Sequence, residues 1–340
     1  MLNMQTSLGR QRSLFRTIQF TCFRNRAMST ADSFPDRLRG YLVSPKQLDA
    51  AIKSSPDTLV PISAAWFMPN DPNRRTGYDS FTKSHIRSSR FFDLDAIADT
   101  VSSYPHMLPD STTFSSHMSR LGIRSSDTVV IYDTSELGLF SAPRVAWTFR
   151  VFGHKGGIHV LNNYKLWVEQ GFPISSGAQE SFSKTQYEAQ DPNASMVIDF
   201  RAVRELGKSN ISGGTEQSGS TTILDARSRG RWEGRDPEPR KGLSSGRIPG
   251  SISLPFTDVL DPETKTMKGR EELQKIFHTL GVAGDKPIVA SCGTGVSAAV
   301  IETALLEAGI AVGSTKVYDG SWTEWAQRVS EDEGLIVKSK

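Results

Sequence analysis

Cysteine is almost missing from this sequence: the 340 residues hold two, Cys22 and Cys292. Two cysteines cannot build a disulfide framework, and with neither a C-x-x-C nor an H-E-x-x-H pattern the chain carries no zinc signature. A reducing compartment follows as the natural setting. Long apolar runs are missing too. No window approaches the roughly 18 uninterrupted apolar residues that a membrane span needs, so no membrane partner is expected. Acidic residues are missing from one region: residues 1–31 contain five arginines, Arg10, Arg12, Arg16, Arg24 and Arg26, and no Asp or Glu. That is the composition of a mitochondrial presequence, with a disordered basic tail as the plainer alternative. Setting those five charges aside turns the formal +3 into −2, so the pI of 8.8 belongs to the leader and gives no argument for nucleic-acid binding. Met28 offers a second start that would omit most of the leader and yield a cytosolic form.

What is present suffices for two cores, since a chain of this length suits two domains of about 150 residues each. Past the leader the sequence repeats itself. In the first half DTVVIYD (127–133) reads as a buried strand, followed by a bend and the helix-like SAPRVAWTFRVFG (141–153). In the second half KPIVASC (286–292) is the strand and SAAVIETALLEAG (297–309) the helix. The copies run in step, with Asp133 opposite Cys292 and Trp167 near Trp325. Upstream, HIRSSRFFDLD (85–95) matches GRIPGSISLPF (246–256). Strands alternating with helices predict an α/β fold, a mainly parallel sheet flanked by helices in each half. The polar, Ser- and Gln-rich stretch 173–195 reads as an interdomain linker between domains at 36–172 and 196–330. A second polar stretch, GKSNISGGTEQSGS (207–220), reads as a surface insert in the second half. Its Gly-Lys-Ser is no phosphate loop, because the glycine required five residues before Gly207 is Ala202.

The bend at ASCGTGVS (290–297) is where chemistry is expected. A strand ending at Ala290 and a helix starting near Ser297 leave a short loop whose N–H groups can converge on the side chain at its start, a nest that binds anions. Gly293 and Gly295 permit the positive φ such curvature uses, and the helix dipole points its positive end at the same spot. Both effects favour thiolate over thiol at Cys292, the form that acts as a nucleophile. A lone cysteine is more often a small core residue. Here Asp133 stands at the equivalent position of the first copy, so the fold does not demand a small apolar side chain there. Phosphatase chemistry of the C-x5-R type would need an arginine where the chain has Ala298, and no histidine signature marks an acyl-transfer enzyme. What remains is a thiolate cupped by backbone donors, able to hold a transferred sulfur atom.

Cys292-Gly293-Thr294-Gly295-Val296-Ser297, with LDARSRGRWEG (224–234), EPRKG (238–242), GRIPG (246–250) and YDGSWTEW (318–325), resembles the two-domain 3-mercaptopyruvate sulfurtransferases of the rhodanese superfamily. FFDLD (91–95), HMLP (106–109), VVIYD (129–133) and FSAPRV (140–145) extend the resemblance over residues 40–328. It implies two tandem rhodanese-like domains, the first non-catalytic. It implies Cys292 as the persulfide-forming nucleophile, Arg231 and Arg240 as the arginines that hold the substrate carboxylate, and loop N–H groups from Gly293, Thr294, Gly295, Val296 and Ser297 around the sulfur. Arg229, Arg235 and Lys241 are read as solvated neighbours. The resemblance further implies a relay of Thr294 with a histidine and an aspartate of the first half, placed at His85 and Asp71. In thiosulfate-preferring relatives the positions of Gly293 and Thr294 carry Arg and Lys, so this neutral loop points to 3-mercaptopyruvate as donor and pyruvate as product. No metal or organic cofactor is implied, and the acceptors expected are small thiols such as glutathione, thioredoxin or cyanide. One rival is a sulfur-relay protein serving a protein acceptor such as tRNA-thiolation machinery. Another is a regulatory module without catalysis, which the intact Cys292 argues against.

Overall fold

The β-branched runs picked out above become strands in the computed structural model, which describes Met1 and residues 38–212 and 221–339. The presequence expectation for residues 1–31, and residues 213–220 of the polar insert, lie outside the described residues. The first sheet comprises β1 (Leu42–Val43), β2 (Leu59–Ser63), β4 (Arg90–Phe91), β5 (Thr128–Tyr132) and β6 (Ile158–Leu161), all parallel, in the order β1-β6-β5-β2-β4. A small antiparallel ribbon pairs β3 (His85–Ile86) with β7 (Ile174–Ser175). The second sheet comprises β8 (Val197–Ile198), β9 (Thr222–Asp225), β10 (Ser251–Ser253), β11 (Ile288–Ser291) and β12 (Thr315–Tyr318), again all parallel, in the order β8-β12-β11-β9-β10. Counted along its own half, each sheet runs first, fifth, fourth, second, third. The repeat seen in the sequence is therefore a repeat of topology.

Helices α1 (Pro45–Ser54), α2 (Gly77–Lys83), α3 (Ser111–Arg120), α4 (Ala142–Val151) and α5 (Tyr164–Glu169) belong to the first half. Helices α6 (Phe200–Ser212), α7 (Arg229–Glu233), α8 (Arg270–Thr279), α9 (Ala298–Ala308) and α10 (Ser321–Arg328) belong to the second. Two of them are buried on nearly every face, mostly apolar but carrying Arg144 and Arg150 in α4 and Glu302 in α9. In α4 nine of ten residues are buried and in α9 nine of eleven. They pack on each other, so one apolar core runs from Val60 and Ile131 in the first sheet through Trp147 and Ile301 to Val317 in the second. Each fully buried Val, Ile, Leu or Phe there contributes roughly 1.5–3 kcal/mol. Arg150 of α4 also donates to the buried Glu302 of α9 at 2.8 and 3.0 Å. Asn162 and Asn163 tie the halves at another point: Asn162 Oδ1 accepts from Met267 N at 2.8 Å, and Asn163 Nδ2 donates to Thr264 O at 2.8 Å.

Three stretches differ from their sequence-based reading. Residues 173–195 do not form a free tether but lie along the first half: Tyr187 is buried, Thr185 N donates to Ser119 O, and Gln179 Oε1 accepts from Phe91 N at 2.5 Å. Polar composition hid this, because the strap is held by hydrogen bonds rather than by an apolar period. The insert begins as helix, since 207–212 continue α6, with Asn210 buried and donating to Pro249 O. The second half also reaches past residue 330. Leu335 is buried and Val337 exchanges both backbone hydrogen bonds with Arg247. No helix among the described residues is long and apolar enough to cross a membrane.

Candidate active site

The ends of parallel strands at which their helices begin gather the candidate residues, as expected for open α/β sheets. Cys292 follows β11 and is 2% exposed. Its loop is held open by Ser321, whose Oγ accepts from both Cys292 N and Gly295 N at 3.1 Å and donates to Tyr318 O. Ser321 adopts φ +48°, and the next two N–H groups, of Trp322 and Thr323, donate to the carbonyls of Cys292 and Gly293. The N–H groups of Gly293, Thr294, Val296 and Ser297 make no hydrogen bond to another described residue. They remain free for an anion at the loop's centre, directly before α9. Of the two glycines, Gly295 uses the left-handed region, at φ +78°, whereas Gly293 does not. A Cβ at Gly293 would stand 3.3 Å from Arg231 Nη2, so a side chain there would press on the end of that arginine.

Thr294 is buried, and its Oγ1 lies 3.0 Å from His106 Nδ1, not from His85. His106 Nε2 in turn lies 2.9 Å from Asp95 Oδ1, and Trp66 Nε1 donates to Asp95 Oδ2 at 3.0 Å while its ring meets the imidazole edge-on. Because Asp95 can only accept, Nε2 carries the hydrogen and Nδ1 accepts from the threonine hydroxyl. Burial lowers the pKa of His106, as do Arg144 and Arg240, against the pull of Asp95. The hydrogen bond from His106 lowers that of Asp95. At neutral pH the pair is thus neutral imidazole beside carboxylate.

The expectation of His85 and Asp71 in this relay is corrected. His85 is bonded through Nδ1 to Phe81 O at 2.9 Å and stacked on the Phe81 ring at 4.2 Å, within the β3–β7 ribbon. Asp71 is turned to Arg75, which donates to it through its backbone N, Nε and Nη2 and holds its pKa near 2. The residues missed are Asp95 and His106, in the FFDLD and HMLP motifs. That a histidine motif follows an acidic one within the same loop was the available signal.

Three arginines lie around the same acidic residue, Glu238, and the Cys292 loop. Arg227 is fully buried, doubly bonded to Asp225 at the end of β9 and bonded to Glu238 at 2.8 Å, so it clamps both ends of the loop between them. Arg231, on α7, reaches the other oxygen of Glu238 and lies against Gly293. Arg240 follows Glu238 by two residues and is half-buried; burial and then repulsion from Arg231 lower its pKa, while Cys292 and Asp95 oppose that shift. Arg231 and Arg240 therefore bring two guanidinium groups, one shared with Glu238, to the loop of Cys292. Arg229, Arg235 and Lys241 are exposed.

The chain is similar to several known proteins. The rhodanese-like domain family matches residues 188–328. The chain is 39% identical to the thiosulfate sulfurtransferase TUM1 of Saccharomyces cerevisiae, over 84% of this chain and 94% of that protein. It is 37% identical to the 3-mercaptopyruvate sulfurtransferase of Mus musculus, over 88% and 96%. The solved sulfur transferase subunit of yeast mitochondrial complex I, described as sub-stoichiometric, superposes with a TM-score of 0.77 at 35% identity, covering 88% of this chain and all of that one.

Proposed function

The chain belongs to the two-domain sulfurtransferases of the rhodanese superfamily, and from that premise we propose that it moves sulfur from 3-mercaptopyruvate, through a persulfide on Cys292, to a thiol acceptor. The observation that carries the choice of donor is the hydrogen bond from Thr294 to His106 in a loop with no cation at 293 or 294. Thiosulfate releases sulfite, which leaves as an anion and needs no proton. Mercaptopyruvate releases an enolate, which becomes pyruvate only on protonation at carbon. A neutral loop with a relay suits the second reaction, and paired guanidinium groups suit its carboxylate.

In this mechanism Arg231 and Arg240 hold the carboxylate and carbonyl of the donor. The Cys292 thiolate attacks the donor sulfur, a sulfur–sulfur bond forms, and the carbon–sulfur bond breaks with its electron pair leaving on the enolate. The donor's S–H proton passes through Thr294 and His106 to the methylene carbon, so the products are the Cys292 persulfide anion and pyruvate. The free N–H groups from Gly293 to Ser297 stabilise sulfur anion before and after transfer. Residues 36–172 then act as the non-catalytic domain that lends the relay, and the part from residue 196 onward as the catalytic one.

Mass spectrometry of the protein after 3-mercaptopyruvate treatment tests the reading. The Cys292 peptide should gain one sulfur atom as pyruvate appears. Pyruvate release with an unmodified Cys292 peptide would refute it. A protein acceptor is a second reading, supported by the likeness to the complex I subunit; transfer of labelled sulfur to a co-purified protein in preference to glutathione would favour it. The same likeness supports a mitochondrial address in residues 1–31. A reporter fused to those residues should enter mitochondria, and the Met28-initiated form should stay in the cytosol.

A further inference from the structure

Among the described residues two ion pairs cross between the halves near α4 and α9. Arg150–Glu302 lies along the helix contact. Arg144–Asp319 lies at the site itself, with both side chains buried. Arg144 Nη2 donates to the carbonyl of His106 at 2.6 Å and stands 2.6 Å from Asp319 Oδ1, a charge contact whose angle is too poor for a hydrogen bond. Arg144 Nη1 reaches toward the carbonyl of Gly295 at 3.5 Å, and the absence of a Cβ on Gly295 gives it room, since that atom would come within 2.6 Å. Asp319 Oδ2 accepts from Leu108 N at 2.7 Å, two residues beyond His106.

The pair therefore touches backbone on both sides of the histidine loop and on the cysteine loop. Two non-glycine residues next to these contacts lie in the left-handed region, His106 at φ +63° in the histidine loop and Ser321 at φ +48° at the start of α10, whose Oγ holds the cysteine loop. Such conformations persist where the surroundings over-determine them. Arg144 grips the carbonyl of the first, and Asp319 lies two residues before the second.

We propose that Arg144 and Asp319 form a positioning pair that sets the His106 imidazole against Thr294, and so act on proton transfer rather than on donor binding. The inference rests on the relay reading given under Proposed function. His106 faces Asp95, Arg144 and Arg240 as its charged neighbours. Loss of the Arg144 charge removes one repulsion, so the acid limb of kcat moves to higher pH.

The test compares Arg144→Met with the other inter-half pair, as Arg150→Met, each with and without Thr294→Val, at a temperature where circular dichroism finds all of them folded. Arg144→Met should lower kcat for 3-mercaptopyruvate by about 10- to 100-fold, as small misplacements of reacting groups do, with KM within about twofold. In the Thr294→Val background its further effect should be under about threefold, because the relay is already broken. Arg150→Met should leave kcat within about twofold in both backgrounds. Equal effects of Arg144→Met and Arg150→Met, or an Arg144 effect of the same size in both backgrounds, would make the pair a structural tie and overturn the proposal. Should Arg144→Met not fold, Asp319→Asn, which keeps an acceptor for Leu108 N, takes its place in both comparisons, and the same outcomes support or overturn the proposal. Failure of the underlying reading looks different: the parent protein itself would form no persulfide with 3-mercaptopyruvate.

Discussion

Two loops hold the same place in the repeat, 133–141 after β5 and 292–297 after β11, and each feeds a helix that is buried on all sides. In the first, the carboxylate of Asp133 accepts from the N–H groups of Phe140, Ser141 and Ala142, each at 2.9 Å, and from Ser141 Oγ at 2.5 Å. In the second, the residue at that place is Cys292, and the corresponding N–H groups have no acceptor among the described residues. The fold thus builds an anion-binding turn twice. In the first turn the chain supplies its own anion; in the second it leaves a sulfur at the rim, where the free N–H groups could hold one. The Asp95–His106 pair of the first half reaches across to Thr294 in the second turn.

The comparison can be broken outright by Cys292→Asp, which copies the first turn into the second. Persulfide formation and pyruvate release should fall by at least about 10⁴-fold, the scale of losing a nucleophile. The variant's melting temperature should stay near the parent's, because the carboxylate finds the same donors. A collapse of Tm would mean that the two turns are not equivalent.

A smaller effect is expected of Thr294→Val, which leaves the turn intact and cuts its link to the first half. Steady-state kinetics should register a kcat loss of about 10²- to 10⁴-fold with 3-mercaptopyruvate, the usual contribution of a general acid–base group, and a much smaller loss with thiosulfate. Equal losses with both donors would separate Thr294 from proton transfer.

Arg231→Ala and Arg240→Ala sharpen the contrast from the donor's side, since the first turn has no comparable guanidinium pair bonded at its rim. Each should raise KM for 3-mercaptopyruvate by about 10- to 100-fold, as loss of hydrogen bonds worth about 1.5–3 kcal/mol to a charged group does. An unchanged KM in either variant would remove that arginine from the site.

The smallest effect concerns the filled turn. Burial pushes the Asp133 pKa up to about 6, above its ordinary value, against the pull of its four hydrogen bonds. A carboxyl raised in the folded state favours folding most where it is protonated in both states, at acidic pH, and that advantage is lost as pH rises through the folded value. The stability of the parent minus that of Asp133→Asn should therefore fall by about 2 kcal/mol between about pH 4 and pH 7 in urea titrations. A difference that rises over this range would mean that the N–H groups outweigh burial.

Much of this was legible in advance because it is local. TVVIY and IVAS are strands by composition, APRVAWTFRV and AAVIETALLEA are helices rich in apolar residues, and their spacing announced the repeat. Cys292 stood out by its bend, and Arg231 and Arg240 by the family resemblance. Ser321 and Asp319 stood in a motif, YDGSWTEW, without any sign of what they hold, since a hydroxyl that accepts two loop N–H groups looks like any other serine in sequence. Residues 173–195 looked like a tether because hydrogen bonds to Ser115 and Ser119 leave no periodic trace.

The sequence by itself determined the α/β order, the duplication and the bend that carries Cys292, because strand and helix propensity, apolar period and a glycine-rich turn act between residues close in the chain. Which histidine meets the Cys292 loop was decided by tertiary structure. Asp95 and His106 lie in irregular chain that follows no period, and Thr294 is 188 residues beyond His106. They meet because the apolar faces of α4 and α9 close the two halves on each other, carrying the histidine loop to the cysteine loop, while stacking on Phe81 keeps His85 away.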